Sequence, residues 1–528
     1  MERKTALVIL LPILLRYLIV PFPHSGEGNY HGSKTAYGGD YEAQRHWMEM
    51  TLHLPISQWY KYDLSYWGLD YPPLIAYGSY LMGRASVILL GKESLALFAS
   101  RGFEDPVHKV FMRSTVIFWD AVIYFPAMFL ICKRLYGSHD KMLRHWLFAM
   151  LSPAMILVDN GHFQYNNVCL GLALGAFHFM TLRNGIGFYD AIGSMIFCLA
   201  LNWKQMGLYY APAVFAFLLG KCFNNNFSIT NTNTILGVLK NIALLGSSVI
   251  TTFFILWYPF YHFREDETEG LVDVYGPILR RIFPFSRGLF EGKVSNIWCA
   301  LNIRPLSIRS RIPEQYQPIC ALVLTIVMML PFCMLLFAMG RKKNAPIDNL
   351  KALLWGSAGT SISFFLASFQ VHEKSILLPL APLIVLEAPA LFIEWISIMS
   401  TWSLWPLLVV DRLQVVYCAV NTLFMSFLWA THEPIFWAPQ KSVSIFGVET
   451  RRIFSGLQYT LQMLVLPSSI IAMLGLHFAE LFVAAPQHLP DLFPVLWILV
   501  GCASFSVMWI VSLCFLNSFL VHSNVKTD

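Results

Sequence analysis

The sequence predicts an all-α polytopic membrane protein, and three observations carry that prediction. Hydrophobic residues fill 56% of the 528 positions and charged residues only 13%, about half the roughly 25% of an ordinary globular chain. The apolar residues gather into stretches of about 18 to 25, the length a helix needs to cross a bilayer. Short polar links separate them and no Gly/Ser-rich or Pro-rich linker divides the chain, so residues 1–528 form a single integral membrane unit.

The same composition excludes other classes. A net charge of +6 with no basic, aromatic-interleaved patch gives no support for a nucleic-acid partner, and in a membrane protein a basic excess reports topology instead. The ten cysteines lack CxxC spacing and sit mostly inside apolar runs, as small buried hydrophobes do.

Taken in order, the first run, Thr5 to Phe22, follows Met-Glu-Arg-Lys, is interrupted by Arg16 and ends without a clean small-residue cleavage site, so it reads as an uncleaved first span. Further runs begin near Val110, Met142, Asn166, Ile186, Met206, Thr234, Pro318, Leu350, Ser375, Leu391, Val415, Ile453 and Asp491. The expectation is about 14 transmembrane helices. Arg3 and Lys4 favour a cytosolic N-terminus. Alternating sides from there places Lys133, Arg134, Lys141, Arg144, Arg183, Lys221, Arg341 to Lys343, Lys441, Arg451 and Arg452 in cytosolic links. The short opposite links hold almost no positive charge, which also puts the C-terminus in the cytosol.

Two large loops then fall on the non-cytosolic side, residues 23–109 and 261–316. Within the first, Tyr41 to Leu54 has apolar residues at helical spacing and suits a helix lying on the membrane surface. Tyr71 to Gly91, opened by two prolines and broken by Gly78, Gly83 and Arg84, suits an interfacial or re-entrant helix; a full span there would reverse every later side. No internal repeat is visible, which weighs against transporters built from repeated halves. The sequon Asn226-Phe-Ser228 falls in the cytosol in this plan and is expected to be unused.

Six polar motifs collect on the non-cytosolic side: GGDYEAQRHW (Gly38 to Trp47), YWGLDYPPL (Tyr66 to Leu74), DNGHFQYNN (Asp159 to Asn167), LNWKQ (Leu201 to Gln205), FPFSRGLFEGKVSNIWC (Phe283 to Cys299) and FQVHEKS (Phe369 to Ser375). One shared polar cavity explains all six. Asp40 and Asp70 each stand beside a tyrosine that limits water, a setting that raises carboxylate basicity; either also suits a helix cap or turn. Glu42 fits a surface or capping group. His372 and Lys374, with Arg287 and Lys293, suit a lipid phosphate, or a polar loop at the membrane surface. Gln164, Asn166, Asn167, Asn202 and Gln205, with Trp203 and Tyr165, have the composition of a sugar site, and interfacial anchoring explains the aromatics equally well. Asp120, Asp190, Glu387 and Glu394 interrupt apolar runs. No HExxH, DxD, Walker loop or paired Cys/His spacing is present, so neither a metal nor a nucleotide is expected.

Together, in order and over nearly the whole chain, GDYEAQRHW, WGLDYPP, HFQYNN, NWKQM, FPF-RGLFE and VHEKS resemble the dolichyl-phosphate-glucose-dependent glucosyltransferases of asparagine-linked glycan assembly. Ala43 to His46 and FEGKVSNIWC are similar to the branch that adds the first glucose, with Gly292 departing from an expected acidic residue. The resemblance implies the GT-C fold, an endoplasmic reticulum membrane location and a lumenal site. It also implies dolichyl phosphate glucose as donor and Man9GlcNAc2-PP-dolichol as acceptor, and no cofactor or metal. Because a β-linked donor yields an α-1,3 product in that family, it implies inversion by a single displacement. Carried over residue by residue, Asp70 is the first choice for general base, Asp40 and Glu42 are second acidic candidates or acceptor-binding groups, and His372, Lys374 and Arg287 face the donor phosphate. The second-glucose transferase of the same family, a lipid-linked sugar flippase and a silent subunit of a glycosylation complex are the alternatives.

Overall fold

The computed structural model describes residues 2–28, 38–223, 230–283, 289–290, 293–303, 306–386, 392–431 and 464–525. Among these the chain is helical, with no strand. Seven helices are long and apolar enough to cross a membrane: Pro73–Leu90, Pro106–Leu135, Thr232–His262, Glu314–Arg341, Pro346–Ala367, Gln414–Thr431 and Leu492–Leu520. Four shorter apolar helices, Val8–Ile19, Asn166–Met180, Phe188–Trp203 and Leu466–Phe482, accompany them.

The remaining apolar runs are broken where polar motifs enter them. The run from Met142 folds as His139–Met150, is interrupted before Pro153, and ends in a wide π-helical stretch, Ile156–Phe163, that carries the DNGHF motif. The run from Met206 opens with the tight turns Gln205–Tyr210 before Ala211–Cys222, and that from Ser375 with Glu373–Ile376 before Leu377–Leu383. Backbone polar groups at such breaks need internal partners, so these segments are enclosed by protein.

Pro346–Ala367 is the most enclosed of the candidate spans, packed between Gln317–Arg341 and the last helix. Ala211–Cys222 and Gln317–Arg341 cross at two glycines. A Cβ on Gly220 would stand 2.2 Å from the Phe337 carbonyl oxygen and one on Gly340 2.3 Å from that of Phe217, so only glycine permits this approach. Thr232–His262 turns Leu236, Ile250, Phe254 and Ile255 outward, as a lipid-facing helix does.

The first loop is built by α1 (Asp40–His53) and α2 (Pro73–Leu90), which pack on each other. α1 does not lie on the surface with one face toward lipid: protein buries Tyr41 through Thr51 on all sides. Its charges make this possible by satisfying one another. Arg45 binds Glu42 through two bonds of 2.7 Å and Glu49 at 2.8 Å, and reaches Ser100 at 2.7 Å. Pro73–Leu90, expected as an interfacial or re-entrant helix, has the length and composition of a span.

Charges inside apolar runs are paired. Arg16 meets Asp120 at 2.8 Å, where Pro106–Leu135 widens into a π-helical turn, and Asp190 pairs with Lys221. All ten cysteines are free. Glu387 and the sequon at Asn226 lie outside the described residues.

Candidate active site

The polar motifs meet at Asp40, the first residue of α1. Chain crossing sets its position: residues 24–26 run against residues 38–39 so closely that a Cβ on Gly26 would fall 2.1 Å from the Gly39 nitrogen. The Asp40 amide donates to Ser25 Oγ at 3.2 Å. Three donors from two stretches then reach one carboxylate oxygen, Oδ2: His162 Nε2 at 2.9 Å, Gln164 Nε2 at 2.5 Å and Lys374 Nζ. Among the described residues no hydrogen bond falls on Oδ1, and the side chain is 26% exposed. One oxygen is therefore anchored, and its twin carries no hydrogen bond among the described residues.

Electrostatics follow from this placement. Burial works against the Asp40 charge, but Lys374 first and then His162 outweigh it and hold the carboxyl well below the usual range. The basicity expected from its aromatic neighbour is thus overturned by cations that come from positions 122 and 334 residues away in sequence. His162 is squeezed oppositely. Burial and Lys374 disfavour its charge, yet hydrogen bonds to Asp40 and Asp411 raise its pKa above the ordinary value. Lys204 is lowered to about 8 by burial and by Lys374.

A second layer backs the first. Lys204 Nζ donates to Gln164 Oε1 at 3.1 Å and Asn166 Oδ1 at 2.6 Å. Asn166 and the Asn167 amide donate to Asp159 at 2.7 and 2.6 Å, and the Asn167 side chain donates to Asp120 at 2.9 Å. Burial and the charge of Asp120 raise Asp159 to about 6.

Asp70 stands beside this centre, in a turn whose carbonyls are tied down one after another. Arg281 donates to Gly68 at 2.9 Å and Leu69 at 3.5 Å, Gln205 to Asp70 at 3.2 Å, and the Tyr60 hydroxyl to Tyr71 at 2.6 Å. Tyr71 lies between the two carboxylates: Lys204 Nζ sits 4.7 Å over its ring, and burial, Asp70 and Asp40 push its phenol well above the ordinary value.

The structure divides the residues the sequence singles out. Asp40, Gln164 and Lys374 form the centre, and Asp70 adjoins it. Glu42 is not a surface or capping group: its carboxylate is occupied by Arg45, the Tyr66 hydroxyl at 2.8 Å and the Gly102 amide at 3.1 Å. Gln205 spends its amide on the carbonyls of Asp70 and Ile282. Asn166 and Asn167 face Asp159 and Asp120. Trp203 is 3% exposed, donates to the Tyr165 carbonyl at 3.0 Å and packs edge-on against Trp119, so it builds the wall and offers no open stacking face. His372 is half exposed and paired with Glu373 at 3.0 Å. Lys293 pairs with Asp491 at the surface. Arg287 lies outside the described residues.

Sequence reasoning missed His162, Asp411, Arg113 and Arg281. His162 stands in a quoted motif, but its partner Asp411 is 249 residues away. The one signal for Asp411 was a charged pair, Asp411-Arg412, interrupting an apolar stretch.

The fold and site define a multi-pass helical membrane protein with a buried, charge-balanced polar centre under its first large loop. Residues 10–511 match the ALG6, ALG8 glycosyltransferase family, and the chain belongs to it; it is a glycosyltransferase. It is 38% identical over 516 residues to a mouse protein named dolichyl pyrophosphate Man9GlcNAc2 alpha-1,3-glucosyltransferase, covering 95% of this chain and 94% of that one. A Saccharomyces cerevisiae protein of the same name is 37% identical over 525 residues, 96% of this chain and 90% of its own length. An Arabidopsis thaliana protein named as a probable enzyme of that kind is 36% identical over 515 residues, 95% and 87%.

Proposed function

We propose that this protein moves glucose from dolichyl phosphate glucose to the terminal mannose of Man9GlcNAc2-PP-dolichol in α-1,3 linkage, the first glucose of the oligosaccharide used for protein N-glycosylation. The observation that carries the reading is the meeting of Lys374, His162 and Gln164 on Asp40 Oδ2, in a chain whose relatives are named for that acceptor and linkage. We place it in the endoplasmic reticulum membrane with a GT-C fold, about 14 crossings, a lumenal site and both termini in the cytosol, as the positive-inside pattern supports; this plan keeps Pro73–Leu90 interfacial or re-entrant despite its span-like length.

Of the two carboxylates we assign the general base to Asp40 and keep Asp70 second, because Lys374, the cation expected at the donor phosphate, reaches Asp40 Oδ2 together with His162 and Gln164. The acceptor hydroxyl approaches Oδ1. As its oxygen bonds to the anomeric carbon, its proton passes to Oδ1, and on the opposite face the bond from that carbon to the phosphate oxygen breaks, its electron pair leaving on dolichyl phosphate. One negative charge thereby moves from Asp40 to the phosphate. Lys374, drawn by the donor phosphate, turns from Asp40 toward it, which frees the base and meets the developing charge in the same motion. The leaving group needs no acid partner, so one carboxylate suffices. Residues of the Gln164 to Gln205 network hold the geometry.

Purified full-length protein, given radiolabelled dolichyl phosphate glucose and the Man9GlcNAc2 acceptor, is expected to add one glucose, and to do so in chelator. No product, or passage of lipid-linked sugar across a vesicle without transfer, contradicts the reading. Transfer only to an acceptor already carrying one glucose would assign the second-glucose reaction.

A further inference from the structure

We propose that Asp411 is a positioning residue for this centre: it holds His162 as a doubly protonated imidazolium and keeps it on Asp40 Oδ2 after Lys374 has turned to the donor phosphate. The inference rests on the glucosyl-transfer reading. His162 Nδ1 lies 2.5 Å from Asp411 Oδ2 and Nε2 2.9 Å from Asp40 Oδ2. Ionised carboxylates only accept, so a ring facing one on each nitrogen carries a proton on both. Lys374 Nζ is 3.1 Å from the same Nε2. Two adjacent cations are not balanced by the single charge of Asp40; Asp411 supplies the second negative charge.

The backbone is strained on both sides of this pair. Phe163, directly after His162, has φ +90°, and Arg412, directly after Asp411, has φ +59°, conformations costly for residues with a Cβ. Asp411 ends the helix Trp405–Val410 with its amide on the Leu407 carbonyl, at the helix terminus that disfavours a carboxylate, and is 4% exposed. A buried anion at such a place needs a cation, and His162 is the one it contacts. The other charged groups around the pair are Arg113, which donates to the Gly161 carbonyl at 2.7 Å and acts on Asp411, and Lys204 behind Gln164; His24 lies on the adjoining segment, where the Ser25 amide binds the His162 carbonyl.

When Lys374 leaves, His162 and Gln164 remain on Oδ2, so Oδ1 stays toward the acceptor hydroxyl. With asparagine at 411 the ring loses its second anion and titrates near or below an ordinary histidine. Above that pH the ring is neutral: it keeps a single N–H and no longer sets a positive charge against Asp40.

The test is the kcat of purified full-length enzyme from pH 6 to 8.5. The ratio of Asp411→Asn to wild type is expected to rise about tenfold from the alkaline to the acid end. Asp411→Glu, which keeps the charge, is expected to give a flat ratio. A flat ratio for Asp411→Asn, at whatever level, overturns the proposal. If Asp411→Asn is not monodisperse, His162→Gln decides: an amide does not titrate, so the alkaline limb of wild-type kcat must disappear, and its persistence unchanged overturns the proposal. Wild type that transfers no glucose defeats the functional reading and this inference with it; normal wild-type transfer with a flat ratio defeats this inference alone.

Discussion

Among the described residues Asp40 takes all its side-chain hydrogen bonds on one oxygen, and the identity of the donors determines how the residue acts. Lys374 depresses its pKa, so the ion pair contributes stability at pH above the ordinary carboxylate value and loses it as pH falls through the depressed one. Lys374→Ala removes that depression and the phosphate partner together. We expect donor kcat/KM to fall about 10- to 100-fold, with the acid limb of activity moved upward in pH; unchanged donor kinetics would contradict the role. Asp70→Asn tests the second carboxylate. The assignment of the base to Asp40 predicts that turnover of Asp70→Asn falls less than the roughly 10² to 10⁴ that loss of a base removes. A larger loss for Asp70→Asn than for Asp40→Asn would exchange the two assignments. The motif residues were legible because unusual polar side chains stand out in apolar sequence. Their ranking was not, since the Lys374 to Asp40 contact spans 334 residues.

At the scale of elements, helix starts near the apolar runs were readable from hydrophobicity alone: Thr234 and Pro318 stand within two residues of the starts of Thr232–His262 and Gln317–Arg341. Fragmentation was not, because a proline and a motif of hydrogen-bonding residues act through tertiary partners. α1 shows the same limit. Its spacing suits a surface helix, and the Glu42, Arg45 and Glu49 cluster that lets it be buried closes only when Ser100 is brought in. Buried pairs also carry a prediction. Arg16 and Asp120 join the first helix to Pro106–Leu135, both nearly unexposed. Asp120→Asn leaves a buried guanidinium without its anion, at a cost of about 3 to 5 kcal/mol. Thermal inactivation in detergent is expected several degrees lower, and replacing both partners by neutral residues of similar volume is expected to recover much of the loss. No change in Asp120→Asn would contradict a structural role for the pair.

At the scale of the molecule, the first loop, the π-helical DNGHF stretch, the NWKQ turn, the VHEKS turn and the end of the 405–410 helix close around one carboxylate, while Thr232–His262 and its neighbours present apolar side chains outward. The topology we propose from the charge pattern puts this centre on the lumenal side. Tags at both termini are expected to react with antibody after the plasma membrane alone is permeabilised, and protection of either would contradict the plan. Six motifs in order made the family legible; what the structure adds is that five of them meet, with Asp411 as an unforeseen sixth contributor. The most direct measurement compares wild type and Asp40→Asn, purified and given dolichyl phosphate glucose with the Man9GlcNAc2 acceptor. Wild type is expected to add one glucose, and Asp40→Asn to turn over about 10² to 10⁴ times more slowly while still binding the donor. Near-normal turnover by Asp40→Asn would contradict the account.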